Sequence, residues 1–192
     1  MIALPPAPGR RIALLVGGLS LRDHWNAERA AQFDLVVAVN GAAFVFPCDY
    51  AALVDRPIVL RLIKHGPHPR KALLTYAKAY RNRFLSKQEL ASVTMIEIPT
   101  VGPRQKSYTM PRALLFCYGL AGASGSIEIF GMDFRATGHD VAGIKGYHEP
   151  KRWMQEATVL RSVWRKNIVA VHGAIAADKL AFIKGECNDW PG

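Results

Sequence analysis

The stretch Arg11-Ile12-Ala13-Leu14-Leu15-Val16-Gly17-Gly18-Leu19-Ser20 decides the fold. Residues 11–16 open on one arginine and then run apolar without alternation, the pattern of a strand buried on both faces. The run breaks at Gly17-Gly18, and residues 21–32 then have helical character, with Ser20 or Asp23 available as N-cap. A buried strand, a glycine turn and a helix together open a parallel α/β unit.

The same grammar repeats outward from that stretch. Residues 34–39 read as a second strand ending at Asn40-Gly41, residues 50–54 as a third ending at Asp55, and residues 58–63 as a fourth. Residues 68–92 read as a basic helix with Leu73, Leu74, Ala77 and Tyr80 near one face. Residues 94–98 alternate and read as a strand, followed by a proline-containing loop over 99–106. Residues 107–121 form a helical pattern with Met110, Ala113, Leu114, Cys117 and Ala121 on one face. A strand over 126–130 ends at Gly131, and an amphipathic helix over 149–166 aligns Trp153, Ala157, Leu160 and Trp164. A strand over 168–171 and a helix over 174–184 complete the alternation. The expected fold is α/β: a Rossmann-like domain over 11–184, mainly parallel sheet, with helices on both faces. Residues 1–10 read as a mobile lead and 185–192 as a loose tail.

Composition narrows the function classes. Half of the 192 residues are hydrophobic, enough for a sizeable core. No apolar run approaches the roughly 20 residues of a membrane helix, and residues 1–8 lack a basic n-region, so a cytoplasmic location is expected. Cys48, Cys117 and Cys187 are odd in number and contain no CxxC, which argues against a disulfide framework or a zinc site. Cys117 reads as a small buried hydrophobe. The net charge of +10 favours anionic partners such as phosphates, nucleic acid or acidic lipid heads. No helix-turn-helix, RNA-recognition or zinc-finger signature accompanies it.

The chemistry collects where strands end. Gly17, Gly18 and Ser20 follow the first strand, Asn40 the second, and Gly131 and Asp133 the late one. Glycines let a backbone approach a phosphate, and asparagine both donates and accepts toward a base or ribose edge. Asp133 can accept from a sugar hydroxyl. His148 lies in a glycine-containing loop before the long helix, where an imidazole can act as general base. Neither GxGxxG nor GxxxxGK[ST] is present, which disfavours a dinucleotide fold and a P-loop. No metal ligand set and no resident cofactor are expected.

These strand ends resemble those of glycosyltransferase family 42, the small bacterial sialyltransferases, and the related DUF115 and norphogenetic groups of phage and bacterial proteins. The resemblance rests on Val16-Gly17-Gly18-Leu19-Ser20, Val39-Asn40-Gly41, the helix through Ala113 and Ala121, Gly131-Met132-Asp133-Phe134, and Tyr147-His148. It implies a Rossmann-like domain in which Gly18, Ser20 and Asn40 hold a nucleotide and His148 takes a proton from an acceptor hydroxyl, without a metal. The family has an asparagine where Gly17 stands and a proline where Leu19 stands. The leading expectation is a glycosyltransferase-like protein that takes a nucleotide or nucleotide-sugar as substrate. The alternatives are a basic nucleic-acid-associated protein, including one that modifies phage DNA, and a non-catalytic nucleotide-binding protein.

Overall fold

The computed structural model describes residues 9–66, 71–75, 93–99, 108–134, 140–144 and 150–191. The short apolar runs become strands: β1 (Arg11–Leu15), β2 (Leu35–Val39), β3 (Tyr50–Ala52), β4 (Ala72–Thr75), β5 (Met95–Glu97), β6 (Ser126–Phe130) and β7 (Ile168–His172). They form one seven-stranded sheet in the order β5-β4-β3-β2-β1-β6-β7. Every pairing is parallel. This is an α/β fold of Rossmann-like type.

Because successive side chains alternate across a strand, each buried strand feeds two cores. Ile12, Leu14, Val37, Val39, Ile127 and Ile129 face one layer. That layer holds α5 (Thr109–Ala121), α6 (Pro150–Val163) and α7 (Ala177–Lys184). Ala13, Leu15, Val36, Ala38, Ala51 and Phe130 face the other. It is covered by α1 (Leu21–His24), α2 (Ala27–Ala30), α3 (Ala42–Val45) and α4 (Arg56–His65). In the first layer, the Tyr118 hydroxyl donates to the Val163 carbonyl at 2.9 Å, tying α5 to α6. Burial pushes the Tyr118 phenol well above its usual value. Cys117 is fully buried in the same layer, with its thiol pushed far up by burial.

Several elements differ from the sequence expectations. Residues 21–32 are two short helices rather than one. The Asn26 side chain accepts from the Arg29 N–H at 2.8 Å and caps a new start. Trp25, at the break, buries itself edge-on against Phe130 with ring centroids 4.8 Å apart. Residues 58–63, expected as a strand, belong to helix α4: Pro57 sits in its first turn, and buried Val59 and Leu62 are three apart on one face. Leu73 and Leu74, expected on a helix, lie in β4, where parallel pairing buries both faces. Residues 185–191, expected to be loose, are fastened down. Arg161 donates to the Cys187 carbonyl at 2.6 Å, and Trp190 packs on Phe182 and Phe134 at 5.4 and 6.0 Å. Residues 1–8 of the expected mobile lead over 1–10, residues 68–70 and 76–92 of the expected helix over 68–92, and residues 100–106 of the expected loop over 99–106 lie outside the described residues.

Among the described residues, no helix is long and apolar enough to cross a membrane.

Candidate functional site at the sheet switch point

The strand order reverses at β1. From β1 the chain steps outward through β2, β3, β4 and β5, then returns to place β6 on the other side of β1. The connections leaving β1 and β6 therefore run to opposite faces, and in doubly wound sheets the crevice outside such carboxyl ends is where ligands bind. Residues 17–20 and 131–134 border that crevice.

The two turns are stitched together by backbone. Val16 N–H donates to the Phe130 carbonyl at 2.8 Å and Gly18 N–H to the Gly131 carbonyl at 3.1 Å. This approach is why residue 18 is glycine. A Cβ there would lie 2.2 Å from the Gly131 carbonyl oxygen and 2.6 Å from the Asp133 carboxyl carbon. Gly131 in turn donates to the His172 carbonyl at 2.7 Å.

Asp133 is buried, and its carboxylate serves as a strut across the switch point. One oxygen accepts from the Ser20 N–H at 3.0 Å. The other accepts from the Ser20 hydroxyl and from the Ala174 N–H, the latter at 2.9 Å. Asp133 thus joins the loops that follow β1, β6 and β7. Ser20 occupies the N-cap position of α1 yet makes no side-chain cap bond, because its hydroxyl is committed to Asp133. Phe134, next in the chain, is one of two described non-glycine residues with positive φ, at 48°. Its ring meets Trp153 of α6 at 6.4 Å, which docks the first turn of α6 beside the crevice.

Asn40 is the other positive-φ residue, also at 48°, a conformation that asparagine tolerates better than most. Its N–H donates to the Ala52 carbonyl at 3.0 Å. Its side-chain oxygen is buried and has no hydrogen-bond partner among the described residues. Such a group costs about 1–3 kcal/mol until a donor reaches it.

Sequence reasoning missed Asp140. Its Oδ1 accepts from the N–H groups of Ala142 and Ile144 at 3.0 and 2.8 Å, and Gly41 N–H bonds the same carboxyl group. The carboxyl lies against both glycine turns. A Cβ at Gly41 would fall 1.9 Å from Asp140 Oδ2, and one at Gly17 would fall 3.4 Å from it. Burial pushes the Asp140 carboxyl above its ordinary value, against the opposing pull of those N–H groups and of Arg61. Val141 N–H donates to the Gly17 carbonyl at 2.8 Å and anchors this segment over the first turn. A lone aspartate in a loop has no periodic signature, so only the tertiary contact reveals it.

The structure therefore brings together Gly17, Gly18, Ser20, Gly131 and Asp133, with Asn40 joined to the group through Gly41 and Asp140. His148 lies outside the described residues. The chain matches no protein-family model, and no curated protein matches it significantly. The chemistry assembled at the crevice is polar and close-set: two glycine turns, one engaged carboxylate, one carboxyl with a raised pKa and one unsatisfied amide oxygen.

Proposed function

We propose that this chain binds a nucleotide or nucleotide-sugar across the Gly17-Gly18 and Asn40-Gly41 turns and acts as a glycosyltransferase-like protein. The observation that carries the reading is the buried, unpartnered Asn40 side-chain oxygen beside two glycine turns at the switch point. A base N–H or ribose hydroxyl would satisfy that oxygen. In this reading Asp133 is a positioning residue, since it holds Ser20 and Ala174 in register and its oxygens already accept three protein donors.

The transferase step rests on the family 42 resemblance. His148 would take the proton of an acceptor hydroxyl as the oxygen attacks the donor sugar carbon. The bond to the nucleotide phosphate would break, and nearby basic groups would stabilise the departing charge. The net charge of +10 favours a second reading, a nucleic-acid-associated protein.

One panel tests both. Melting temperature is followed with CMP, CDP, UMP, UDP, GDP, ADP, NAD and S-adenosylmethionine, with a short DNA duplex in parallel. A ligand at about 100 times its Kd adds about 2.7 kcal/mol, a shift of several degrees. The expected outcome is a cytidine or uridine response that Asn40→Ala reduces. Silence from every nucleotide, with a salt-sensitive duplex response, overturns the proposal in favour of the second reading. For the step itself, turnover of the responding donor that His148→Ala leaves unchanged removes the base assignment.

A further inference from the structure

A second charged cluster lies away from the crevice, on the α1–α2 side of the β6–β7 edge. Its centre is Glu128 in β6, whose side chain is only 10% exposed. Arg11 of β1 reaches Glu128 Oε1 at 3.4 Å. Arg29 of α2 and His172 of β7 reach Oε2 at 2.9 and 3.0 Å. Arg29 Nη2 also lies 3.4 Å from His172 Nε2. Burial pushes the Glu128 carboxyl up, but the His172 hydrogen bond, the Arg29 charge and the Arg11 hydrogen bond outweigh it and hold it below the usual range.

The cationic side is held in place and faces outward. The Arg29 guanidinium lies over Phe130 and that of Arg11 over Phe33, with distances to the ring centroids of 5.6 and 5.2 Å. The His172 ring stacks on Phe130 at 4.5 Å and 12°, and His24 of α1 lies 6.2 Å from it. The side chains of Arg11, Arg29 and His172 are 49%, 34% and 29% exposed. Asp34 accepts from the Arg11 backbone N–H at 2.7 Å. The guanidinium groups of Arg11 and Arg29 thus lie between the carboxylate of Glu128 and solvent, with Asp34 beside Arg11 and with Arg29 Nη1 also donating to Gln32 Oε1 at 3.0 Å. Rings and carboxylate fix the guanidinium planes, so little ordering cost remains for an oxyanion ligand. A tetrahedral dianion suits two forked donors and an imidazole better than a carboxylate does.

We propose that Arg11, Arg29 and His172 form a phosphate-binding site on this face, taking a phosphate group from either a free phosphate monoester or a polynucleotide backbone. The site shares no side chain with the nucleotide reading, although it adjoins the crevice: Gly131 N–H donates to the His172 carbonyl, and Ala174, two residues on, donates to Asp133. It therefore does not depend on the nucleotide reading.

The test titrates inorganic phosphate against chloride at matched ionic strength, following melting temperature and the His172 ring signals by NMR. Saturable binding that shifts those signals is expected. Arg29→Gln should weaken it about tenfold or more, as loss of a charge-assisted bond does, and His172→Gln supplies a second variant if Arg29→Gln fails to fold. Glu128→Gln should raise phosphate affinity severalfold while lowering stability, an opposition of signs that a purely structural cluster would not give. Asn40→Ala should leave phosphate binding unchanged even where it abolishes a nucleotide response. Competition by a short oligothymidylate, lost in Arg29→Gln, supports the backbone source; competition by phosphate monoesters alone supports the free one. Failure of phosphate to saturate, or folded Arg29→Gln and His172→Gln proteins that bind it like the parent, overturns the proposal.

Discussion

At the scale of single residues, the switch point tolerates little change. Gly18→Ala places a methyl 2.2 Å from the Gly131 carbonyl oxygen, so the β1 and β6 turns must separate. A loss of about 2–4 kcal/mol is expected in urea unfolding, with any nucleotide response lost as well. Ser20→Ala is milder. It removes the hydroxyl donor to Asp133 while keeping the backbone donor, and about 1–2 kcal/mol is expected by the same measurement. Much of this was legible in the sequence, because glycine, asparagine and aspartate at strand ends have local reasons to be there. What was not legible is how they are used. Nothing in the string says that Asp133 is committed to Ser20 and Ala174, or that Asp140 reaches back between two glycine turns. Those facts belong to side chains that meet only after the sheet has formed.

At the scale of elements, runs of five continuous apolar residues were read correctly, since β1 and β2 are buried on both faces. The errors fell on short apolar runs where strand and helix periods coincide. Residues 58–63 offered buried positions that either structure would use, and Asp55 with Pro57 settled it as a helix start. Leu73 and Leu74 went the other way, because pairing with β3 and β5 overrides local helical preference. The break at Trp25 rests on one cap, so Asn26→Ala should cost about 1 kcal/mol and lower protection of the α2 amides in hydrogen exchange. Glu128 ties β1, α2 and β7 together, and its carboxyl is held below its ordinary, unfolded value. The stability it contributes is fully present above that unfolded value and is lost as pH falls through the lower folded one. Glu128→Gln should therefore flatten the acid limb of a stability-versus-pH profile measured by denaturant titration. Asp140, raised by burial above its ordinary value, opposes this: it favours the folded state below that ordinary value and ceases to do so as pH rises through the folded one.

For the whole molecule, the sheet order predicts a gradient of local stability. β1, β2 and β6 are interior strands, whereas β7 is an edge with Val169 60% exposed. Native-state hydrogen exchange should find the slowest amides in β1 and β2 and the fastest strand amides in β7. The overall α/β alternation was readable from the string. The order of the strands was not, because a parallel crossover of similar length can land on either side of its predecessor. The return from β5 to the far side of β1 is fixed by α5, whose apolar face packs in the same core layer as β1, β2 and β6.

That return has a consequence for synthesis. Arg11 and Glu128, which meet across paired strands, are 117 residues apart in the chain. A ribosome adding roughly 5–20 residues per second needs about 6–23 s to make the second after the first. Throughout that interval the half-built sheet carries β1 with one long edge bare, and four of the five residues of β1 are buried in the finished fold. Newly made chains should therefore depend on holding chaperones until residue 130 has emerged, and fragments that stop short of β6 should aggregate rather than accumulate as a smaller stable fold.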